Sequence, residues 1–135
     1  MTAVDTSVVV AAFASWHEQH EAARRALDDG LQLVDHCALE TYSVLTRLPA
    51  PHRAPASVVR DFIATRFPEP WLRLNAFAYR KFLAGLAEQN VTGGSVYDAL
   101  VAATASAHGV PLITCDRRAI PIYERYGIRI QILNG

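Results

Sequence analysis

Alternation is the feature that most constrains the fold: short apolar runs of strand character are separated, again and again, by segments with helical spacing. Thr2–Val4 reads as a short strand that ends in the carboxylate of Asp5, and a helix follows through Val8–Phe13. Trp16–Leu27 continues as a second helical segment, stopped by Asp28-Asp29-Gly30. Leu31–Val34 reads as a second strand, with Asp35 as the N-cap of a helix over His36–Leu48. Pro49, Pro51 and Pro55 break the chain. A helix over Ala56–Phe67 follows, with Val58, Val59, Phe62 and Ile63 on one stripe. Trp71–Leu74 is a weak strand candidate, and Ala76–Gln89 an amphipathic helix. Gly93-Gly94 marks a turn, Ser95 an N-cap, and a very apolar helix spans Val96–His108 with Gly109 as its stop. Val110–Thr114 is a buried-type strand, Arg118–Tyr126 a short helix, and Ile128–Leu133 alternates as an edge strand does. The order implies the α/β class, with a parallel sheet covered by helices on both faces.

A chain of 135 residues, about half of them apolar, is expected to form one domain over residues 1–135. No apolar run approaches the ~18 residues of a membrane span, and Asp5 interrupts the N-terminus too early for a signal peptide. Cys37 and Cys115 match no zinc spacing and read as reduced thiols, so a cytoplasmic location is expected.

Two acids, Asp5 and Asp116, sit at the C-terminal ends of predicted strands, where open α/β sheets bind ligands. Glu40 lies one turn into the helix after the second strand, and Asp98 in the first turn of the apolar helix. Neither has an arginine or lysine three or four residues away. A carboxylate on so apolar a helix is costly to bury unless a distant cation or a metal neutralises it. Each acid alone has an ordinary structural reading as a helix cap, a dipole partner or an ion-pair member. Their joint placement at one sheet edge favours a metal site, and oxygen-only ligands select Mg²⁺ or Mn²⁺.

Formal net charge is zero, from 13 basic and 13 acidic residues. With the four candidate ligands set aside, the cations are in excess, and every one but Lys81 is arginine, which suits bidentate phosphate contacts. The stretch from Arg47 to Lys81 also holds Arg53, Arg60, Arg66, Arg73 and Arg80 against only Asp61 and Glu69. With Trp71 and Tyr79 interleaved, it reads as an RNA-gripping rim or, more plainly, as a solvated helical pair. His17 and His20 lack a third ligand for a metal. Gly93-Gly94 lacks the Gly-Lys-Ser/Thr of a phosphate loop, and neither cysteine has a convincing histidine partner for nucleophilic catalysis.

Several stretches together resemble the PIN-domain family, and in particular VapC-type toxins of bacterial toxin–antitoxin pairs. They are Val4-Asp-Thr-Ser7 before an apolar helix, His17-Glu-Gln-His-Glu-Ala-Ala23, Ala38-Leu-Glu40-Thr-Tyr-Ser-Val-Leu45, and Gly93-Gly-Ser-Val-Tyr-Asp98-Ala-Leu-Val-Ala-Ala-Thr-Ala105 leading to Pro111-Leu-Ile-Thr-Cys-Asp116-Arg-Arg-Ala119. The resemblance covers essentially the whole chain. It implies a three-layer α/β/α sandwich around a parallel sheet of four to five strands. It also implies a Mg²⁺- or Mn²⁺-dependent endoribonuclease that cuts a transfer RNA or ribosomal RNA loop by metal-activated water, a homodimer, and a neutralising VapB-type antitoxin. Carried over by position, Asp5, Glu40, Asp98 and Asp116 are the catalytic metal ligands, with Ser7 and Thr114 as supporting hydroxyls. Where some relatives carry a further acid, this chain has Arg117-Arg118, which are counted with Arg47, Arg53, Arg60, Arg66 and Arg73 as candidate RNA contacts.

Two other functions compete. An aspartyl phosphatase with Asp5 as nucleophile wants a second acid two residues on, where Ser7 stands. A non-catalytic binding module would be marked by loss of acids, and all four are present.

Overall fold

The strands are very short, and the sheet coheres because its central pair is completely buried. In the computed structural model, which describes residues 1–134, the order is β1 (Ala3–Val4), α1 (Thr6–Phe13), α2 (His20–Asp28), β2 (Gln32–Leu33), α3 (Asp35–Arg47), α4 (Ala56–Arg66), α5 (Ala76–Glu88), α6 (Ser95–Ala107), β3 (Leu112–Thr114), α7 (Ile120–Glu124) and β4 (Ile130–Ile132). The four strands form one parallel sheet in the order β2-β1-β3-β4. Ala3 faces Gln32 on one side and Leu112 on the other, and Val4 faces Leu33 and Ile113. From β1 the chain moves to β2 on one side and later returns to β3 on the other. Right-handed crossovers therefore place their helices on opposite faces, giving three layers.

Ala3, Val4, Val8, Leu33, Leu45, Val59 and Leu112 form the centre of the core. Burial of each valine or leucine stabilises by about 1.5–3 kcal/mol. β4 is an edge strand, as its alternation predicts, with Gln131 and Ile132 exposed. Gly109 has φ +65, a left-handed turn that lets the chain leave α6 and enter β3.

Local differences from the sequence reading have physical causes. α2 starts at His20 rather than Trp16, because residues 14–19 form tight turns and the Trp16 ring stacks on His52, centroids 4.4 Å apart. Asp35 is the first residue of α3 and not its cap, its carboxylate accepting from the His36 N–H. Ser95 likewise lies inside α6, one residue past Gly94. Trp71–Leu74 forms no strand; a single bridge joins Leu72 to Val34. The helix expected over Arg118–Tyr126 divides into a 3-10 turn at Arg117–Ala119 and α7, with Pro121 near the start of α7, where its missing N–H costs nothing.

Candidate active site

Asp5 leaves β1 in an extended conformation and caps α1, accepting from the Val8 N–H at 3.4 Å. It is 3 % exposed, so its carboxylate must be satisfied inside the protein. Ser7 donates to Oδ1 at 2.5 Å, and Thr114 and Tyr123 donate to Oδ2, Tyr123 at 2.8 Å. The two hydroxyls are themselves oriented by backbone. The Cys115 N–H donates to Ser7 Oγ at 2.8 Å, and the Asp116 N–H to Thr114 Oγ1 at 2.9 Å. With those N–H groups donating in, both hydroxyl protons turn toward Asp5. Ser7 and Thr114, the two expected hydroxyls, thus both donate to Asp5. Burial still pushes the Asp5 carboxyl above its ordinary range, against the opposing hydrogen bonds from Ser7, Thr114 and Tyr123.

The other acids come from three different elements. Glu40 on α3 accepts from Thr6 Oγ1 at 2.5 Å. Asp116, just beyond β3, caps the 3-10 turn, accepting from the Arg118 N–H at 3.0 Å and from its guanidinium at 3.2 Å. Asp98 on α6 is half-buried and has its pKa raised, by burial first and then by the charges of Asp116 and Glu40, with Asp5 adding less and Arg118 opposing. All four acids line one open cavity of about 520 Å³ at the C-terminal edge of the sheet, together with Thr6, Ser7, Arg118 and Tyr123.

The donors there are carboxylates and hydroxyls, the chemistry that a hard divalent cation takes. Among the described residues, however, no three His, Cys, Asp or Glu side chains stand close enough to form a ready cage. Asp5, Glu40 and Asp116 are each turned toward their own hydrogen-bond donors. Mg²⁺ usually keeps several waters and touches only one or two carboxylates, so a cavity with four acids on its wall fits it without a cage. The repulsion felt by Asp98 is what such a cation would relieve.

Of the arginines expected to contact RNA, Arg118 lines this cavity and Arg117 adjoins it in the chain. Arg47 donates to Ser43, Arg53 to the Leu48 carbonyl, Arg60 to Asp61 and Arg66 to Asp28. These are surface contacts, too weak to fix a long side chain. Arg73 is exposed, with its carbonyl accepting from His108. Cys115 lines the cavity, but burial and the Asp5 charge raise its pKa to about 11, and burial drives Cys37 higher still, so neither thiol is a nucleophile at neutral pH.

Sequence reasoning missed Tyr123 and Thr6. Tyr123 is fully buried in α7, and a buried phenol needs a partner for its O–H, but its partner lies 118 residues away. A second cavity, of about 430 Å³ and largely apolar, lies between α3 and α4, lined by Ala38, Leu39, Tyr42, Ile63 and Trp71. Leu39 is 71 % exposed there.

The model of the PIN domain family matches residues 2–125. The chain is 51 % identical over 133 residues to Ribonuclease VapC40 of Mycobacterium tuberculosis, covering 98 % of this chain and 99 % of that protein. It is 39 % identical over 141 residues to Ribonuclease VapC27 of the same organism, covering 96 % and 95 %. The fold is similar to that in the crystal structure of DNA-bound VapBC from Salmonella typhimurium, with a TM-score of 0.67, 20 % identity, and 97 % and 96 % of the two chains covered.

Proposed function

The chain belongs to the PIN domain family, among the VapC-type ribonucleases, and we propose that residues 1–135 act as one Mg²⁺- or Mn²⁺-dependent endoribonuclease domain, the toxin of a toxin–antitoxin pair. The observation that carries this reading is the meeting of Asp5, Glu40, Asp98 and Asp116, from four separate segments, on the wall of one cavity. A bound divalent cation supplies Lewis acidity at the phosphodiester and lowers the pKa of the attacking water. The chain's own part is to hold the carboxylates and the substrate. Ser7, Thr114 and Tyr123 fix Asp5, Thr6 fixes Glu40, and Arg118 places positive charge beside Asp116. Hydrolysis would leave a 3′-hydroxyl and a 5′-phosphate on a structured RNA such as a transfer RNA or ribosomal RNA loop.

The partner in this reading is a VapB-type antitoxin, whose amphipathic helix fits the apolar groove between α3 and α4. A second copy is expected as well, and the exposed Tyr79 and Leu83, one turn apart on α5, supply an apolar face for it. The free thiols suit a cytoplasmic setting, and no helix is long and apolar enough to cross a membrane among the described residues.

Cleavage of total RNA with and without Mn²⁺, with sequencing of the new ends, tests the activity. Metal-dependent fragments bearing 5′-phosphates support it. Equal cleavage by wild type and by variants with two acids removed overturns the carboxylate site.

A further inference from the structure

One aromatic pair stands beside the acids and outside the core. His36, near the start of α3, precedes Glu40 by one turn, and Tyr97 precedes Asp98 on α6. The two rings face each other across the junction of these helices, centroids 5.3 Å apart and planes within 5° of parallel. Tyr97 remains 54 % exposed, so burial of the phenol ring is not what the arrangement achieves. The His36 ring behind it is largely enclosed. Its Nε2 is buried without a hydrogen-bond partner among the described residues and faces Glu40 Oε2 at 4.0 Å.

We propose that Tyr97, backed by His36, is a stacking platform for an unpaired RNA base whose phosphate enters the acidic cavity. This rests on the ribonuclease reading and names how that same site chooses its substrate class. A parallel aromatic pair with a solvent-facing outer ring presents a flat π-surface, and a nucleobase extends the stack as a third layer. A base and its own phosphate are joined through one ribose. A base on Tyr97 therefore keeps that phosphate within reach of Asp98, the next residue in the chain, and of Glu40, beside His36. Stacking reads no hydrogen-bond edge, so the platform tolerates different bases but requires one that is free of its duplex. It selects for single-stranded loops and against paired RNA.

Other aromatic groups are less well placed. Trp71 lines the apolar groove between α3 and α4, and its indole N–H donates to the Phe67 carbonyl. Trp16 stacks on His52 at 4.4 Å in a tilted arrangement, next to His17, which lines the cavity.

The test uses the full chain carrying Asp116→Asn, to slow turnover, and a short single-stranded RNA of mixed sequence with one 5-iodouridine. Long-wavelength irradiation joins the modified base to the ring it stacks on, and mass spectrometry locates the adduct. Fluorescence anisotropy measures affinity for the same RNA and for its paired duplex. The expected adduct is on Tyr97. Tyr97→Phe should bind like the parent, and Tyr97→Leu about tenfold more weakly, with melting temperatures unchanged and no change for the duplex. Adducts on Trp16 or Trp71 alone, with Tyr97→Leu binding normally, overturn the platform while the ribonuclease reading stands. A wild-type protein that neither binds nor cuts RNA overturns that reading, and the platform with it.

Discussion

Asp5 and Asp98 are both carboxylates of one cavity, yet replacing them should have opposite effects on stability. Asp5 accepts from Ser7, Thr114, Tyr123 and the Val8 N–H, so in Asp5→Asn the hydroxyls that meet the amide N–H₂ must give up the bonds they donate and turn to accept, a loss that outweighs relief of the burial penalty on the carboxylate. It is expected to destabilise the fold by about 1–3 kcal/mol. Ser7→Ala and Thr114→Ala should each cost on the order of 1 kcal/mol, visible as lower melting temperatures. Asp98 has a raised pKa from burial and from neighbouring negative charge. It holds its proton more tightly in the folded chain than in the unfolded one. The metal-free fold is therefore favoured at low pH and loses stability as pH rises from about 4, the unfolded value, through the raised folded value. Asp98→Asn removes that penalty. Melts without metal should show the variant more stable than wild type at neutral pH, with the gain gone below about pH 4. Its RNA cleavage should fall about a hundredfold or more, as expected when a ligand charge is removed. A variant that loses stability at neutral pH would show that Asp98 is instead held by favourable contacts.

The helices were more legible than the strands or the turns. Apolar spacing marked α4, α5 and α6 to within a residue or two, because one face of each packs inward. Strands of two or three residues leave little periodicity to read, and Trp71–Leu74 had the composition of a strand without a place in the ladder. The four acids were visible because strand ends and a missing local cation are sequence features. Tyr123 and Thr6 were not, since a hydrogen bond to a distant segment leaves no local trace. The groove between α3 and α4 carries its own prediction. Leu39 projects from α3 into it and supports nothing in the core. Leu39→Asp should leave cleavage and melting temperature near wild type while weakening the antitoxin complex at least tenfold, since a desolvated charge in an apolar contact is costly. Titration calorimetry with a VapB-type antitoxin would measure it. Unchanged affinity would move the docking face elsewhere.

Metal binding should be felt by the molecule as a unit. An ion that prefers the folded site stabilises it by linkage, about 2.7 kcal/mol at a concentration a hundredfold above Kd. Millimolar Mn²⁺ should therefore raise the melting temperature of wild type and leave a variant lacking Glu40, Asp98 and Asp116 unmoved. Equal shifts in both would place the ion outside the cavity. The central strand comes from the very start of the chain, yet it pairs with residues 112 and 113, and its acid is held by Tyr123. During synthesis, Asp5 therefore waits for most of the chain to be made before its partners exist. A growing chain can carry Asp5, Glu40 and Asp98 while having no β3 to set them beside Asp116. The cavity that gathers the four acids is thus not assembled until synthesis has passed residue 123.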